Sequence, residues 1–300
     1  MAVMKIGFGL PVSGSWATPE IVSTVARRAD ELGYATLWSF QRLLVPIETP
    51  LEAQYRSVAD PLLPLAYAAA LTSRVRLGAA IVNLPFQPPA VLAKQYATLD
   101  VLSGGRAVAG VGLGWVPEEF EAAGVPFEGR GARGEEYVAA LRALWGPDPV
   151  RFDGELYRVP ESSVLPKPLR PGGPPILIGG SAPPALERCG RLADGWISSS
   201  RLDPKRIHEP IDAVRAAARE AGRDDGALEF VVRGVVLVGP RTRPLTGTLD
   251  EIRGDLPGLA EQGVTELFVD LNFDQRIGNP DADPAESLAR ATEVLEALAP

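Results

Sequence analysis

The feature that most limits what this chain can fold into is an alternation of short apolar runs with stretches of helical hydrophobic spacing. The apolar runs are Met4–Leu10, Ala35–Phe40, Val75–Val82, Ala107–Leu113, Ile176–Ile178, a run around Trp196-Ile197, Leu228–Val238 and Glu266–Asp270. Between them, helices are predicted at Pro19–Leu32, Pro61–Thr72, Pro88–Leu102, Pro117–Ala123, Arg133–Trp145, from Pro183-Pro184 onward, and at Pro204–Ala221, Leu249–Gln262 and Pro284–Leu298. The first shows the logic. Thr18 and Pro19 cap and start it, Ile21, Val22, Val25, Ala29 and Leu32 make one face, and Gly33 ends it.

Eight strands, each followed by helical material, is the count of a (β/α)8 TIM barrel. A doubly wound open sheet shows the same local pattern, so the count carries the reading. No shift in composition and no repeat divides residues 1–300, which are read as a single barrel domain. Residues 146–174 break the rhythm with seven prolines and a hairpin around Asp153-Gly154, its arms Val150–Phe152 and Leu156–Val159. They read as an insertion between the fourth and fifth β/α units. This insertion and the loop 41–59 are expected to shape the substrate pocket.

Composition removes several classes of function. Lys and Arg total 30 against 38 Asp and Glu, a net charge of −8 with no basic run, so nucleic acid is a poor partner. An anionic ligand needs a local cluster of arginines instead. One cysteine and one histidine cannot make a disulfide within the chain and argue against a zinc site, so no metal is expected. No apolar run approaches the roughly 18 to 20 residues of a membrane helix, and the N-terminus enters a strand after Lys5. A cytoplasmic protein without a membrane partner is the expectation.

The stretch Pro175–Ser200 reads as strand, tight turn, helix and strand, with Gly179-Gly180-Ser181 as the turn and Ser181 in the N-cap position. A glycine turn opening a helix suits a phosphate, although a plain βα bend has the same sequence. The spacing Gly110-x-Gly112-x-Gly114 lies on the fourth strand and differs from a dinucleotide-binding fingerprint. Bare glycine there lets a flat ring approach the backbone. Glycine, serine, asparagine and tryptophan dominate the C-terminal strand ends and paired carboxylates are missing, which suits a planar cofactor. His208 reads as a solvated or capping residue and Cys189 as a core thiol. Arg130, Arg133 and Glu135-Glu136 read as an ion-paired helix start or as a device steering an anionic cofactor tail.

The segments ELGYATLW (31–38), SRVRLGAAIVN (73–83), PAVLAKQYATLDVLSGGRAVAGVGLGW (89–115), GVPFEGRGARGEEY (124–137) and DGWISS (194–199) together resemble the bacterial-luciferase-like flavin and deazaflavin oxidoreductases over nearly the whole chain. LWSFQRLLVP and GLGWVPEEF are most similar to the branch using coenzyme F420, a 5-deazaflavin. The resemblance implies a (β/α)8 barrel, usually a homodimer, acting on a small-molecule substrate with F420 or FMN. It implies a non-prolyl cis peptide at Ala80-Ile81 backing the ring, and a ring site of Asn83, Gly112, Gly114 and Trp115 with Ile197 nearby. Gly179, Gly180 and Ser181 would hold the phosphate.

This chain departs from the family's deazaflavin-dependent sugar-phosphate and alcohol dehydrogenases after the second strand. Where those place an Asp-His pair, it has Gln41 and Arg42, neither a base near neutral pH. That argues against alcohol oxidation and for hydride transfer to an activated C=C or C=N bond, with Arg42 stabilising developing negative charge and Glu118 or Tyr55 as proton donor. The alternatives are an FMN-dependent monooxygenase and a non-catalytic cofactor-binding protein.

Overall fold

The computed structural model describes residues 3–300; Met1 and Ala2 of the expected 1–300 unit lie outside the described residues. Eight parallel strands form its centre: β1 (Lys5–Gly9), β2 (Thr36–Ser39), β3 (Arg76–Ala79), β4 (Ala107–Gly112), β5 (Ile176–Gly179), β6 (Gly195–Ile197), β7 (Glu229–Val235) and β8 (Glu266–Asp270). Each pairs with its neighbour in sequence, and Lys5 of β1 lies in register with Glu266 of β8. The sheet is therefore closed, which settles the choice between barrel and open sheet.

Around it lie α1 (Pro19–Leu32), α2 (Leu63–Leu71), α3 (Pro89–Ser103), α4 (Pro117–Ala122), α5 (Arg130–Trp145), α6 (Pro183–Leu192), α7 (His208–Glu220), α8 (Leu249–Glu261) and α9 (Pro284–Ala297). The expected caps form at α1: the Thr18 hydroxyl accepts from Ile21 N–H, and Gly33 takes the left-handed conformation that ends the helix. No helix among the described residues is long and apolar enough to cross a membrane.

Apolar side chains separate into two regions. One lies between strands and helices, and the other fills the lumen with Trp38, Val108, Leu177, Val231 and Phe268. Trp38 stacks on Phe268 with ring centroids 5.5 Å apart. Burying rings of this size contributes roughly 4–6 kcal/mol each before entropy is counted. Gly78 on the adjacent strand makes the room, since a Cβ there would stand 2.4 Å from the Trp38 ring. Below, Glu266 Oε1 accepts from Trp38 Nε1–H at 2.8 Å and its Oε2 accepts from the Thr36 hydroxyl at 3.1 Å. Burial pushes the Glu266 carboxyl above its ordinary range. Among the described residues these side chains fill the lower barrel.

Four local readings need correction. The apolar run 75–82 is not one strand: after Ala79 the chain passes through a cis peptide at Ala80-Ile81 and resumes pairing at Val82–Asn83. The run 228–238 leaves the barrel after Val235, and Leu237–Val238 pairs with Thr246–Gly247 instead. The helix expected from Pro204 begins at His208, because Gln262 Oε1 accepts from Ile207 and His208 N–H and caps it from the end of α8. The hairpin's second arm is Arg158–Ser162, since the Glu136 carboxylate gathers the N–H groups of Glu155, Leu156 and Tyr157 into the turn.

Candidate active site

At the C-terminal strand ends lies a cavity of about 640 Å³. Every residue that the resemblance assigned to a cofactor lines it: Ala80, Ile81 and Asn83 after β3; Gly112, Gly114 and Trp115 after β4; Gly179, Gly180 and Ser181 after β5; and Ile197 of β6. Gln41, Arg42 and Tyr55 line it from the loop after β2. That loop folds back over the barrel mouth, where Ala59 N–H donates to Val12 O and Gly14 N–H to Ser57 O, both at 2.8 Å. No residue of 146–174 lines the cavity. The expectation that this insertion shapes the pocket is overturned, because Glu136 and the Tyr137–Tyr157 ring contact hold it against α5.

The β3 bulge is built by its neighbours. A Cβ on Gly110 would lie 1.8 Å from Ala79 O, and one on Gly112 would lie 2.6 Å from Ile81 Cδ1. Gly110 and Gly112 therefore make room for the chain at 79–81, rather than directly for a ligand. From the far side of the barrel Arg233 Nη2 donates to Ala80 O at 2.5 Å. Arg233 is held in turn by Asp270 at 3.2 Å and sits among Phe40, Phe268 and Phe273.

At the end of β2 the Gln41 carbonyl accepts from Asn83 N–H at 2.7 Å, tying β2 to β3. The next residue, Arg42, lies between the Tyr55 and Trp115 rings, 4.8 and 4.9 Å from their centroids. Its Nη1 meets Glu119 Oε2 at 2.6 Å, and Leu43 N–H donates to Glu119 Oε1 at 2.6 Å. Burial raises the Glu119 carboxyl above its ordinary value, against the lowering pull of Leu43 N–H and Arg42. Glu118, the residue singled out from sequence, instead accepts from the Thr49 hydroxyl at 3.2 Å and does not line the cavity. Glu119 was missed. A buried acid inside the first turn of PEEF looks identical in sequence to its solvated neighbour.

At the opposite end the turn 179–181 leads into α6, but the N-cap is Ala182, not Ser181. Prolines at 183 and 184 fix the first helical turn and place the cap immediately before them. They also lack N–H groups, so this helix end offers fewer donors than the sequence suggested. Two arginines stand on the same wall, Arg188 of α6 and Arg130 at the start of α5. Both line the cavity. Arg188 is almost buried, with Nε 3.3 Å from Glu135 but no hydrogen bond to it. Arg130 lies over Phe127 at 3.9 Å. Of the helix-start residues read as an ion-paired cluster, Glu135 does pair with Arg188 and Arg191, while Glu136 serves the hairpin. His208 is exposed beside Gln262, and Cys189 is a buried thiol donating to Gly195 O.

The wall thus carries Arg42, Arg130, Arg188, Arg201 and Arg233 and no Asp, Glu or His among the described residues, in a chain of net charge −8. An eight-stranded barrel whose rim carries a basic, glycine-lined pocket backed by a bulged strand has the architecture of a barrel enzyme, with its candidate site at the C-terminal strand ends. The family model described as luciferase-like monooxygenase matches residues 7–254, and the chain belongs to that family. Its members are flavin- or F420-dependent oxidoreductases and monooxygenases.

An uncharacterised Mycobacterium tuberculosis protein is 31% identical over 282 residues, 90% of this chain and 91% of its own. The FMNH(2)-dependent dimethylsulfone monooxygenase of Pseudomonas putida is 33% identical over 186 residues, 61% of this chain and 50% of its own. The structure of an F420-dependent secondary alcohol dehydrogenase with an F420-acetone adduct superposes with a TM-score of 0.79 at 18% identity, covering 99% of each chain.

Proposed function

We propose that this protein binds coenzyme F420 in the rim cavity and transfers hydride between the deazaflavin and an activated C=C or C=N bond of a small molecule. The observation that carries the reading is the end of β2. Gln41 is committed to Asn83 and Arg42 to Glu119, so neither side chain can take a proton from an alcohol. A reduction needs no such base. It needs a fixed cation where negative charge develops, and Arg42 is held there by two rings and a carboxylate.

The residues present fit a flat ring with an anionic tail. The β3 bulge with Asn83 and Gly112 gives the ring a backbone floor, and Trp115 with Ile197 gives it walls. The turn 179–181, Arg188 and Arg130 suit the phosphate. When bound, the reduced deazaflavin supplies the hydride at C5. The protein's share is to orient the ring, keep the lower barrel dry through Trp38, and stabilise charge through Arg42. Tyr55, beneath Arg42, is the proton donor that lines the cavity.

A second reading, an FMN-dependent monooxygenase, is favoured by the Pseudomonas putida relative. Titrating the protein with oxidised F420 and with FMN separates the two. Tighter F420 binding, with reduction of a panel of enones and imines, supports the first; oxygen consumption with reduced FMN supports the second. We also read the protein as a cytoplasmic homodimer. Helix α2, LPLAYAAAL, has no charged residue yet leaves Leu63 71% exposed, which supports a covering partner; sedimentation tests this.

A further inference from the structure

Two guanidinium groups lie over the Trp115 ring. Cζ of Arg42 lies 4.9 Å from its centroid and Cζ of Arg201 lies 5.5 Å away. Arg42 follows β2 and Arg201 follows β6, strands on opposite sides of the barrel, so this stack spans the cavity mouth. The two cations are held very differently. Arg42 and Glu119 are both buried, and drawing Arg42 away would strand a buried carboxylate. Arg201 meets Glu52 at 3.1 Å with side chains 68% and 51% exposed, a kind of pair that is weak and screened by salt. A ligand acid entering the cavity therefore meets one arginine whose protein partner is easily displaced. No carboxylate among the described residues of the wall repels it.

We propose that Arg201, backed by Trp115, recognises a carboxylate on the substrate, and that Glu52 occupies the guanidinium while the cavity is free. The substrate class is a small planar unsaturated acid: its carboxylate makes two parallel hydrogen bonds to Arg201, and its conjugated bond lies toward Arg42. The proposal rests on reading this cavity as the redox site. A deazaflavin tail also carries carboxylates, so the same chemistry has a second source.

The test uses the full chain loaded with oxidised FMN or oxidised F420 and titrated with sodium cinnamate and with cinnamamide, following cofactor absorbance. Wild type is expected to bind cinnamate about tenfold tighter than the amide, the size of a charge-assisted pair. R201Q is expected to erase that preference and E52Q to strengthen cinnamate binding. Equal binding of acid and amide by wild type, or an R201Q variant that keeps the preference, overturns the proposal. An R201Q variant that loses affinity for F420 but not FMN, with cinnamate preference intact, assigns Arg201 to the cofactor tail and also overturns it. If neither cofactor perturbs the spectra, the redox reading fails by itself, and the acid-over-amide preference is read on the free protein from tryptophan fluorescence.

Discussion

Glu119 Oε2 lies 2.6 Å from Nη1 of Arg42, with 0% of the glutamate side chain and 6% of the arginine side chain exposed. The pair joins the loop after β2 to helix α4 beside the cavity, so one contact holds both the candidate charge-stabilising residue and the ring, Trp115, stacked on it.

Removing the acid leaves a nearly buried cation unpaired. Glu119→Ala is expected to destabilise the fold by about 3 kcal/mol, and Glu119→Gln by less because it keeps the acceptor for Leu43 N–H. Urea titration followed by circular dichroism measures both.

Glu266 makes stability depend on pH. Unfolded, its carboxyl titrates at about 4.3; folded, burial holds the value higher. Through the window above 4.3 the folded state binds more protons than the unfolded, so this group's contribution is full below that pH and is lost as pH rises through the folded value. Glu266→Gln should flatten the fall in urea midpoint from pH 4.5 toward neutrality. A wild-type and variant difference that does not change with pH would show that Glu266 titrates normally.

Gly110 faces backbone that cannot yield. Gly110→Ala would put Cβ 1.8 Å from Ala79 O, and a cost of about 3 kcal/mol is expected, read as a lowered melting temperature. Gly112→Ala meets only the flexible end of Ile81 and should cost clearly less.

Gly180, at φ +141°, adopts a conformation that other residues rarely take, and an added Cβ would lie 2.7 Å from that of Ala185. Gly180→Ala should therefore shift the turn that faces the proposed phosphate. About a tenfold loss of cofactor affinity is expected, measured by fluorescence titration.

The barrel was legible because eight apolar runs are a count, and a count survives errors of a few residues at each end. The cavity wall was legible because glycine, asparagine and tryptophan at strand ends are uncommon choices. What the sequence hid depends on partners distant along the chain. Gln262 caps α7 from 54 residues away, and Glu136 holds a hairpin some 20 residues on. Arg233 reaches a carbonyl 153 residues before it. Residue types alone do not reveal which of two adjacent glutamates turns inward, and here it is Glu119, with its side chain 0% exposed. Ser181 was misplaced as a cap because two prolines override the preference of a hydroxyl for that position.

The cavity wall draws on eight separate stretches, from Phe40 to Arg233, and no single one of them carries even half of it. A molecule seated there acts as a keystone, touching the ends of β2 through β7 at once and binding only the closed cylinder. Ligand occupancy and resistance to heat become two readings of one equilibrium: a ligand at a hundred times its dissociation constant adds about 2.7 kcal/mol. The melting temperature of the untouched protein is therefore a means of finding what belongs in it.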